Sequence, residues 1–439
     1  MNTASRRHFI KSIAGATGAA ALGGAPFGAS AREEKKARGG QFTDIQHIVL
    51  VMMENRSFDH FLGWLPGANG IPAGGLVYPD RSGALQPIHP LAPDYQGLGF
   101  ADPDHSHEGG LTEYDNGRCD GWLRAGLNDL YSIGYYTQSD LPFLGQAAPA
   151  WTTCDSYFAG IMAETYPNRI YQHAAQTDRL TNTLTVSLLP TIWDRLAEKR
   201  ISARYYFSDV PVLALWGPKY VGISRFTSQF FADCAAGTLP AVSFVDPSLL
   251  GEEEGLSNDD HPHADIRNGE VFLNKVYEAV TSSPNWPNTL LIINFDEWGG
   301  FFDHVAPPRA PIPTADSLAG DQTGLRGFRV PALAISPWSR RGFVAKGVYD
   351  HTSILKLIEA RWKLRTLTVR DSTAANFADV LDFANPIYAV PRFVVPPGPF
   401  GTTAPATATA TSASATLAPG SGEWAGLAAM AKKAGFPVR

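Results

Sequence analysis

The sequence is poor in cysteine and has no excess of basic residues, and both deficits exclude classes of function. Its 439 residues include three cysteines, with no Cys-x-x-Cys pair and no Cys/His cluster. A thiolate zinc site is therefore not expected, and an odd number leaves at least one thiol unpaired or all three free. The net charge is −6, whereas nucleic-acid-binding domains usually carry a basic face, so we expect no nucleic-acid partner.

A long apolar run is also missing. Residues 13–27 are rich in glycine and alanine, whereas a membrane-spanning helix needs about 20 predominantly apolar residues. We therefore expect no transmembrane segment in the mature protein. Arg6 and Arg7 precede this stretch, and a small-x-small cleavage site follows it at residues 29–31. Because this order is typical of a twin-arginine export signal, residues 1–31 are predicted to be a signal peptide and the protein to be periplasmic or secreted.

The rest of the composition supports a large folded domain, since 44% of the residues are hydrophobic and 18% are charged. Four apolar runs are predicted to be strands, at residues 45–53, 201–207, 289–295 and 329–337. Helical patterns lie between or after them, at residues 268–283 and 351–364. Strands that alternate with helices favour an α/β fold with a mostly parallel central sheet and helices on both faces.

The composition changes near the C-terminus. Residues 396–422 are rich in proline, alanine, threonine and serine and lack core residues, which is typical of a flexible linker. Residues 423–439 are predicted to be a short helical tail, so the catalytic domain would occupy residues 32–395. Because few buried contacts are expected after residue 396, we expect the tail to contribute little to stability.

Two of the predicted strands end in carboxylate and amide side chains instead of turn residues. Glu54-Asn55 follows the first strand, and Asp296-Glu297 follows the strand at 289–295. Because sites in α/β folds lie at the carboxyl ends of the strands, both pairs should lie on one rim. Hard oxygen ligands suit a divalent cation such as Mg²⁺, Mn²⁺ or Ca²⁺. Either pair alone is more often a helix N-cap or a surface ion pair, but the presence of both favours a metal site.

Thr165 precedes Pro167 at the start of a helix-like run. Proline near the first turn marks a helix start, and a hydroxyl there lies where backbone N–H groups and the helix dipole favour anions. An alkoxide nucleophile bound to a cation needs the same surroundings. On spacing alone, a threonine that only caps the helix is the more common explanation.

Five of the eleven histidines lie beside aspartates in polar, turn-like loops, namely His105, His261, His263, His304 and His351. A carboxylate partner fixes the tautomer of an imidazole and raises its pKa. A lone His–Asp pair is more often structural. Several such pairs in a chain with a candidate oxyanion site favour phosphate binding or acid catalysis.

Together these stretches resemble the bacterial phosphoesterase family, which includes non-haemolytic phospholipases C and a group of acid phosphatases. The matching motifs are "HIVLVMMENRSFDHFLG", "IGYYTQSDLPFLGQAAPAWTTCDSYFAG", "TYPNR", "NDDHP" and "TLLIINFDEWGGFFDHVAPP". The resemblance implies an alkaline phosphatase-like fold and one divalent metal ion, for which Ca, Mg, Mn, Fe and Zn are all candidates. It also implies a phosphoester substrate, either a phospholipid headgroup or a soluble phosphomonoester, and allows peripheral contact with lipid.

The resemblance further implies roles for individual residues, with Thr165 as the nucleophile that forms a covalent phospho-threonine. The implied metal ligands are Glu54, Asn55, Thr165, Asp296 and Glu297. The implied catalytic residues are Thr165, His105, His261 and His304. The implied substrate-binding residues are Asn55, Asp209 and His351. Among these, Asp209, His304 and His351 match the family pattern least closely.

Two other functions are kept as alternatives. A catalytically silent phosphate- or lipid-binding protein of the same fold would be indicated by loss of Thr165 or Glu54, and both residues are present. A sulfatase-like esterase would need a cysteine or serine that matures to formylglycine at the nucleophile position, and Thr165 argues against it.

The predicted export signal can be tested directly. If Arg6 and Arg7 form the twin-arginine address, replacing both by lysine should leave active enzyme in the cytoplasm. Cell fractionation followed by an activity assay measures this. Unchanged periplasmic or extracellular activity in the double variant would contradict the prediction.

Overall fold

The computed structural model describes residues 40–252, 255–401 and 423–438. The predicted signal peptide and residues 402–422 of the predicted linker lie outside the described residues. In the described part of the chain, no helix has the length and apolar character needed to cross a membrane.

Fourteen strands and eleven α-helices make up the described chain. The strands are β1 (His47–Met53), β2 (Val77–Pro79), β3 (Leu85–Pro87), β4 (His89–Pro90), β5 (Gly134–Tyr135), β6 (Thr152–Cys154), β7 (Tyr157–Phe158), β8 (Ala203–Phe207), β9 (Ser224–Phe226), β10 (Val242–Val245), β11 (Thr289–Phe295), β12 (Ala332–Ile335), β13 (Phe343–Ala345) and β14 (Tyr349–Asp350). The helices are α1 (Phe58–Leu62), α2 (His107–Tyr114), α3 (Leu144–Ala150), α4 (Thr165–Ala174), α5 (Ile192–Glu198), α6 (Thr227–Ala236), α7 (Ile266–Ser282), α8 (Thr314–Ala319), α9 (His351–Trp362), α10 (Val369–Thr373) and α11 (Glu423–Ala434).

Eight of these strands form one central sheet in the order β13-β6-β12-β11-β1-β10-β8-β9. The strand pairs are parallel except for the two that β12 makes with β11 and β6. The prediction of an α/β fold with a mostly parallel central sheet is therefore confirmed. The run at 329–337, predicted to be a strand, contains the shorter strand β12, which is antiparallel to both of its neighbours.

The centre of the sheet is buried on both of its faces. Every residue of β11 is buried, and so is every residue of β1 except His47. Because successive strand residues point to opposite faces, this pattern requires packing on each side of the sheet. The same burial explains why β-branched and aliphatic residues fill both strands, as the sequence predicts.

Polar residues follow three adjacent strands at the same edge of the sheet. β11, β1 and β10 are neighbours and run parallel. They are followed directly by Asp296, Glu54 and Asp246, and all three carboxylates are buried. The fold therefore places the acidic strand ends on one rim, as predicted for Glu54 and Asp296.

The C-terminal residues pack more closely on the domain than their composition suggests. At the end of the described segment 255–401, Asn268 Nδ2 donates to the Phe400 carbonyl at 3.0 Å, and Phe400 N donates to Asn268 Oδ1 at 2.8 Å. The predicted helical tail is α11, which packs against residues 212–223, and Leu427 and Ala431 on this helix are fully buried. The sequence predicts a tail with few buried contacts, whereas two side chains of α11 are fully buried.

The packing of α11 predicts a stability cost for truncating its buried face. Leu427→Ala should lower the free energy of unfolding by about 2–5 kcal/mol, because the substitution removes fully buried methyl groups and leaves a cavity. Leu318→Ala is a matched control, since that side chain is 85% exposed. Equal midpoints for both variants in urea unfolding would mean that α11 does not stabilise the domain.

Candidate active site

One guanidinium group connects the three acidic strand ends. Arg169 lies on α4, and its Nη2 is 2.9 Å from Glu54 Oε1. Its Nη1 is 3.2 Å from Asp246 Oδ1, and its Nε is 3.3 Å from Asp296 Oδ2. All four side chains are buried, so these ion pairs are shielded from solvent and hold α4 against the edge of the sheet.

Four of the five predicted metal ligands also have a buried oxygen without a hydrogen-bond partner in the described chain. These atoms are Glu54 Oε2, Asn55 Oδ1, Asp296 Oδ2 and Glu297 Oε1. Asp296 Oδ2 has the ion-pair contact with Arg169 given above, which lacks hydrogen-bond geometry. Buried oxygens are costly unless they are paired or coordinate a cation. The donor set is all oxygen, so the residues present fit a hard divalent ion.

The carboxyl groups of this cluster resist ionisation in the absence of a cation. Burial raises the pKa of Glu297 to about 8, although His105 lowers it, and Asp296 raises it further. Burial also raises the pKa of Asp296 to about 6 against the opposing effect of Arg169. The pKa of Glu54 lies well above its usual value because burial outweighs the attraction of Arg169. The positive charge of Arg169 is therefore not enough to keep the pKa values of these three carboxyl groups in their usual range.

Compact groups of possible metal ligands occur next to this cluster. Among the described residues, Glu54 groups with Glu252 and His261, and Asp102 groups with His105 and His261. The oxygens of Glu54, Asp296 and Glu297 do not form an equally compact group within the described chain, and Arg169 contacts both Glu54 and Asp296.

Thr165 is the first residue of α4 and is 4% exposed. The N-cap is Glu164, so Thr165 does not cap this helix, contrary to the more common explanation of its spacing. Asn168 fixes the loop before it, because its Nδ2 donates to the Ala163 carbonyl at 2.7 Å and its Oδ1 accepts from Ile161 N at 3.0 Å. The "TYPN" motif thus orients the start of α4 through its asparagine.

His105 and His261 face each other with their ring centroids 6.0 Å apart. His105 Nε2 is 3.4 Å from Asn55 Nδ2, which places this histidine beside the predicted ligands. Burial alone would lower the pKa of His105, but Glu297 and Asp102 raise it to about 10. Burial and the neighbouring His105 lower the pKa of His261. One histidine is thus charged and the other neutral, an arrangement suited to distinct acid and base roles.

Three predicted site residues make contacts that differ from those of the carboxylate cluster at the strand ends. His304 Nδ1 bonds Asp59 Oδ2 at 2.5 Å, in an ion-pair cluster with Asp303 and Arg329. Both oxygens of Asp209 accept hydrogen bonds, and four of these bonds come from residues 248–250. Asp209 nevertheless lies close enough to Asp246 to add to the rise that burial causes in the pKa of that carboxyl. The roles predicted for His304 and Asp209 stay predictions.

His351 is the third of these residues and is fully buried at the start of α9. Its Nε2 bonds the Asp296 carbonyl at 2.7 Å, and its Nδ1 lies 3.1 Å from the Tyr157 hydroxyl. Both ring nitrogens are therefore engaged within the core. These contacts tie His351 to the end of β11, and its predicted substrate-binding role stays a prediction.

Several residues of the site were not proposed from the sequence, namely Arg169, Asp246, Glu252 and Asp259. Asp246 could have been found from the sequence, because it follows an apolar run, as Asp296 does. Arg169 lies in the quoted motif "TYPNR". Asp259, whose carbonyl accepts from Glu54 N at 2.8 Å, lies in the quoted motif "NDDHP". Glu252 belongs to a polar loop in which acidic residues are common, so its burial could not be deduced from the local pattern.

Gly299 and Asn55 meet at a close backbone approach. A Cβ atom on Gly299 would lie 2.1 Å from the Asn55 carbonyl oxygen, and Gly299 has φ +64°. Asn55 itself has φ 59°, in the left-handed region that asparagine tolerates better than most residues. The "DEWGG" motif therefore needs glycine here so that the loop after β11 can lie against Asn55, a predicted ligand.

These pKa shifts predict how pH acts on the metal-free protein. The pKa values of Asp296 and Glu297 exceed their unfolded values of about 3.9 and 4.3, so the folded chain holds protons that the unfolded chain has released. Stability in chelator should therefore fall as pH rises through about 6 to 8. A divalent ion needs the ionised carboxylates, so its stabilising effect should grow over the same range.

Thermal unfolding with and without chelator at pH 5.5 and 8 measures both effects. Glu297→Gln is the comparison variant, since it removes the group with the higher pKa and should flatten the pH dependence in chelator. Stability of the metal-free protein that rises from pH 5.5 to 8 would contradict this account of the cluster.

Comparisons with known proteins agree with these motifs. The sequence profile of the Phosphoesterase family matches residues 45–365. Phospholipase C A of Mycobacterium tuberculosis is 31% identical over 462 aligned positions, which cover 87% of this chain and 86% of that protein. Non-specific phospholipase C6 of Arabidopsis thaliana is 30% identical, with 77% of this chain and 72% of that protein covered.

Solved structures show a more distant likeness. A protein in the alkaline phosphatase superfamily from Vibrio parahaemolyticus matches with a TM-score of 0.37 and 9% identity, covering 75% of this chain and 69% of that chain. The lipoteichoic acid synthase LtaP from Listeria monocytogenes matches with a TM-score of 0.40 and 8% identity, covering 74% and 73%. The profile match extends over most of the chain and includes the acidic strand ends and the start of α4, and on that basis the chain belongs to the Phosphoesterase family.

Proposed function

We propose that the protein is a metal-dependent hydrolase of phosphoric esters that acts through a covalent phospho-threonine on Thr165. The observation that carries the proposal is the set of four buried oxygens without hydrogen-bond partners in the described chain. They belong to the residues at the ends of β1 and β11. The phospholipase C names of the relatives support a phosphoester substrate, either a phospholipid or a soluble monoester.

The residues that would hold one divalent ion are Glu54, Asn55, Asp296 and Glu297, with the Thr165 oxygen as a further ligand. When bound, such an ion supplies positive charge that stabilises a threonine alkoxide and the phosphoryl oxygens. The buried surroundings support this role because electrostatic attraction is stronger where water is excluded. Ca, Mg, Mn, Fe and Zn are all candidates for the ion.

The reaction proceeds in two displacements at phosphorus. The Thr165 hydroxyl releases its proton to solvent as its Oγ1 forms a bond to phosphorus, the bond from phosphorus to the ester oxygen breaks, and the departing oxygen takes a proton. Protonated His105 is the donor we propose, since its raised pKa keeps a proton available. Water then attacks phosphorus, the bond to Thr165 breaks, and phosphate or a phosphomonoester leaves. Neutral His261 accepts the proton of that water, and the departing Thr165 oxygen takes a proton back from solvent. Exchange with solvent then returns the proton on His261 to His105.

A phospholipid substrate would require contact with a lipid surface. Leu127 and Leu256 are 80% and 64% exposed. Leu127 precedes Asn128, whose side chain accepts from Asp104 N beside His105. Leu256 lies between Glu252 and Asp259 in the chain. Exposed leucines on loops next to the site support peripheral lipid contact by the exported protein.

Substitution of Thr165 tests the nucleophile. Thr165→Ala should lower kcat by several orders of magnitude with little change in KM, because the lost group acts in the chemical step. Thr165→Ser should retain part of the activity, since it keeps a hydroxyl at the start of α4. Steady-state kinetics on a monoester, a diester and phosphatidylcholine, with and without chelator, measure these effects and the substrate class together.

Thr177→Ala is the matched control. Thr177 is also a buried threonine, but its hydroxyl donates to the Arg179 carbonyl at 2.9 Å and has a structural role. The control should lose some stability and keep its kcat. Full turnover by Thr165→Ala, or chelator-resistant turnover by a preparation that contains no metal, would overturn the proposed mechanism.

A further inference from the structure

The C-terminal helix α11 brings an aromatic side chain to the site. Trp424 is 6% exposed. Its ring centroid is 5.3 Å from that of Tyr166, at an angle of 64° between the rings. The Arg169 guanidinium lies 6.0 Å from the same ring, and Trp424 interacts with the Glu252 carboxylate, where it partly offsets the rise that burial causes in the pKa of that group. A helix more than 250 residues away in sequence thus contacts the helix that begins at Thr165.

The residues that Trp424 contacts are themselves bonded to the site. Arg169 carries the ion pairs to Glu54, Asp246 and Asp296. Glu252 Oε2 lies 3.6 Å from His261 Nδ1. Through these two neighbours, a single indole ring restrains both the guanidinium that orients the predicted ligands and the carboxylate beside a predicted catalytic histidine.

We propose that Trp424 is a positioning residue of the active site and that α11 is part of the catalytic unit. This inference rests on the proposed function, because it assigns a role relative to the same carboxylate cluster. Trp424 acts through Arg169 and Glu252, the two charged side chains that it contacts. An aromatic face against a guanidinium restricts the orientation of that group and keeps water from its ion pairs.

The role assigned to Trp424 differs from that of ordinary packing in the same C-terminal region. Leu427 and Phe436 are also buried, but neither has a ring contact, ion pair or hydrogen bond to the described site residues. If α11 only stabilised the fold, truncating any of these side chains should affect activity in proportion to stability. If Trp424 positions the site, its truncation should reduce turnover while the protein remains folded.

Full-length Trp424→Ala, Trp424→Phe and Phe436→Ala test this difference. Phe436→Ala is the matched control because it also truncates a buried aromatic side chain in the C-terminal region. Kinetics on the ester that the wild type hydrolyses fastest should show kcat lowered by about 10- to 100-fold in Trp424→Ala, as is typical for partners of metal ligands. Phe436→Ala should stay within about twofold of wild type, and Trp424→Phe should recover part of the loss because it keeps an aromatic face toward Arg169.

A second readout separates this inference from the proposed function. Titration with Mn²⁺ in each folded variant, checked by circular dichroism, should show weaker binding in Trp424→Ala than in Phe436→Ala. Inactivity of the wild type on every ester would refute the proposed function, and the Mn²⁺ titration would still test Trp424. Equal kcat and equal Mn²⁺ affinity in Trp424→Ala and Phe436→Ala would overturn the positioning role.

Discussion

The contact between Arg169 and three buried carboxylates is the interaction on which the site depends. It joins the helix that begins at Thr165 to the ends of three neighbouring strands, through bonds to Glu54, Asp246 and Asp296. Removing one partner of a buried ion pair leaves an uncompensated charge, which is strongly destabilising. The position of Thr165 is therefore coupled to the sheet edge by a single side chain one helical turn away.

The same contact leaves negative charge uncompensated. One guanidinium faces three carboxylates, and Glu297 adds a fourth. Burial raises the pKa of both Asp296 and Glu297, and the neighbouring Asp296 raises that of Glu297 further. A protein selected only for stability would replace such a cluster with apolar residues. Its presence agrees with the need of an anionic substrate for a cation held between these oxygens.

The sequence alone predicted that the acidic residues at the strand ends lie together, because this prediction does not depend on the order of the strands in the sheet. Any parallel strands of one sheet share an edge, so Glu54 and Asp296 could be placed together before their neighbours were known. Arg169 and Asp246 could not be paired, because their contact joins residues 77 positions apart and depends on how α4 crosses the sheet. The contacts of His351 and Trp424 depend in the same way on packing that local periodicity does not contain.

The central claim is that Thr165 carries the phosphoryl group during turnover. The most direct test is to mix the protein with excess phosphoester, quench in acid within the first turnover, and map phosphate by mass spectrometry of the peptides. The account predicts phosphate on Thr165 that disappears when the divalent ion is chelated beforehand. Phosphate on another residue such as Thr177, or no phosphorylated peptide in an active preparation, would contradict it.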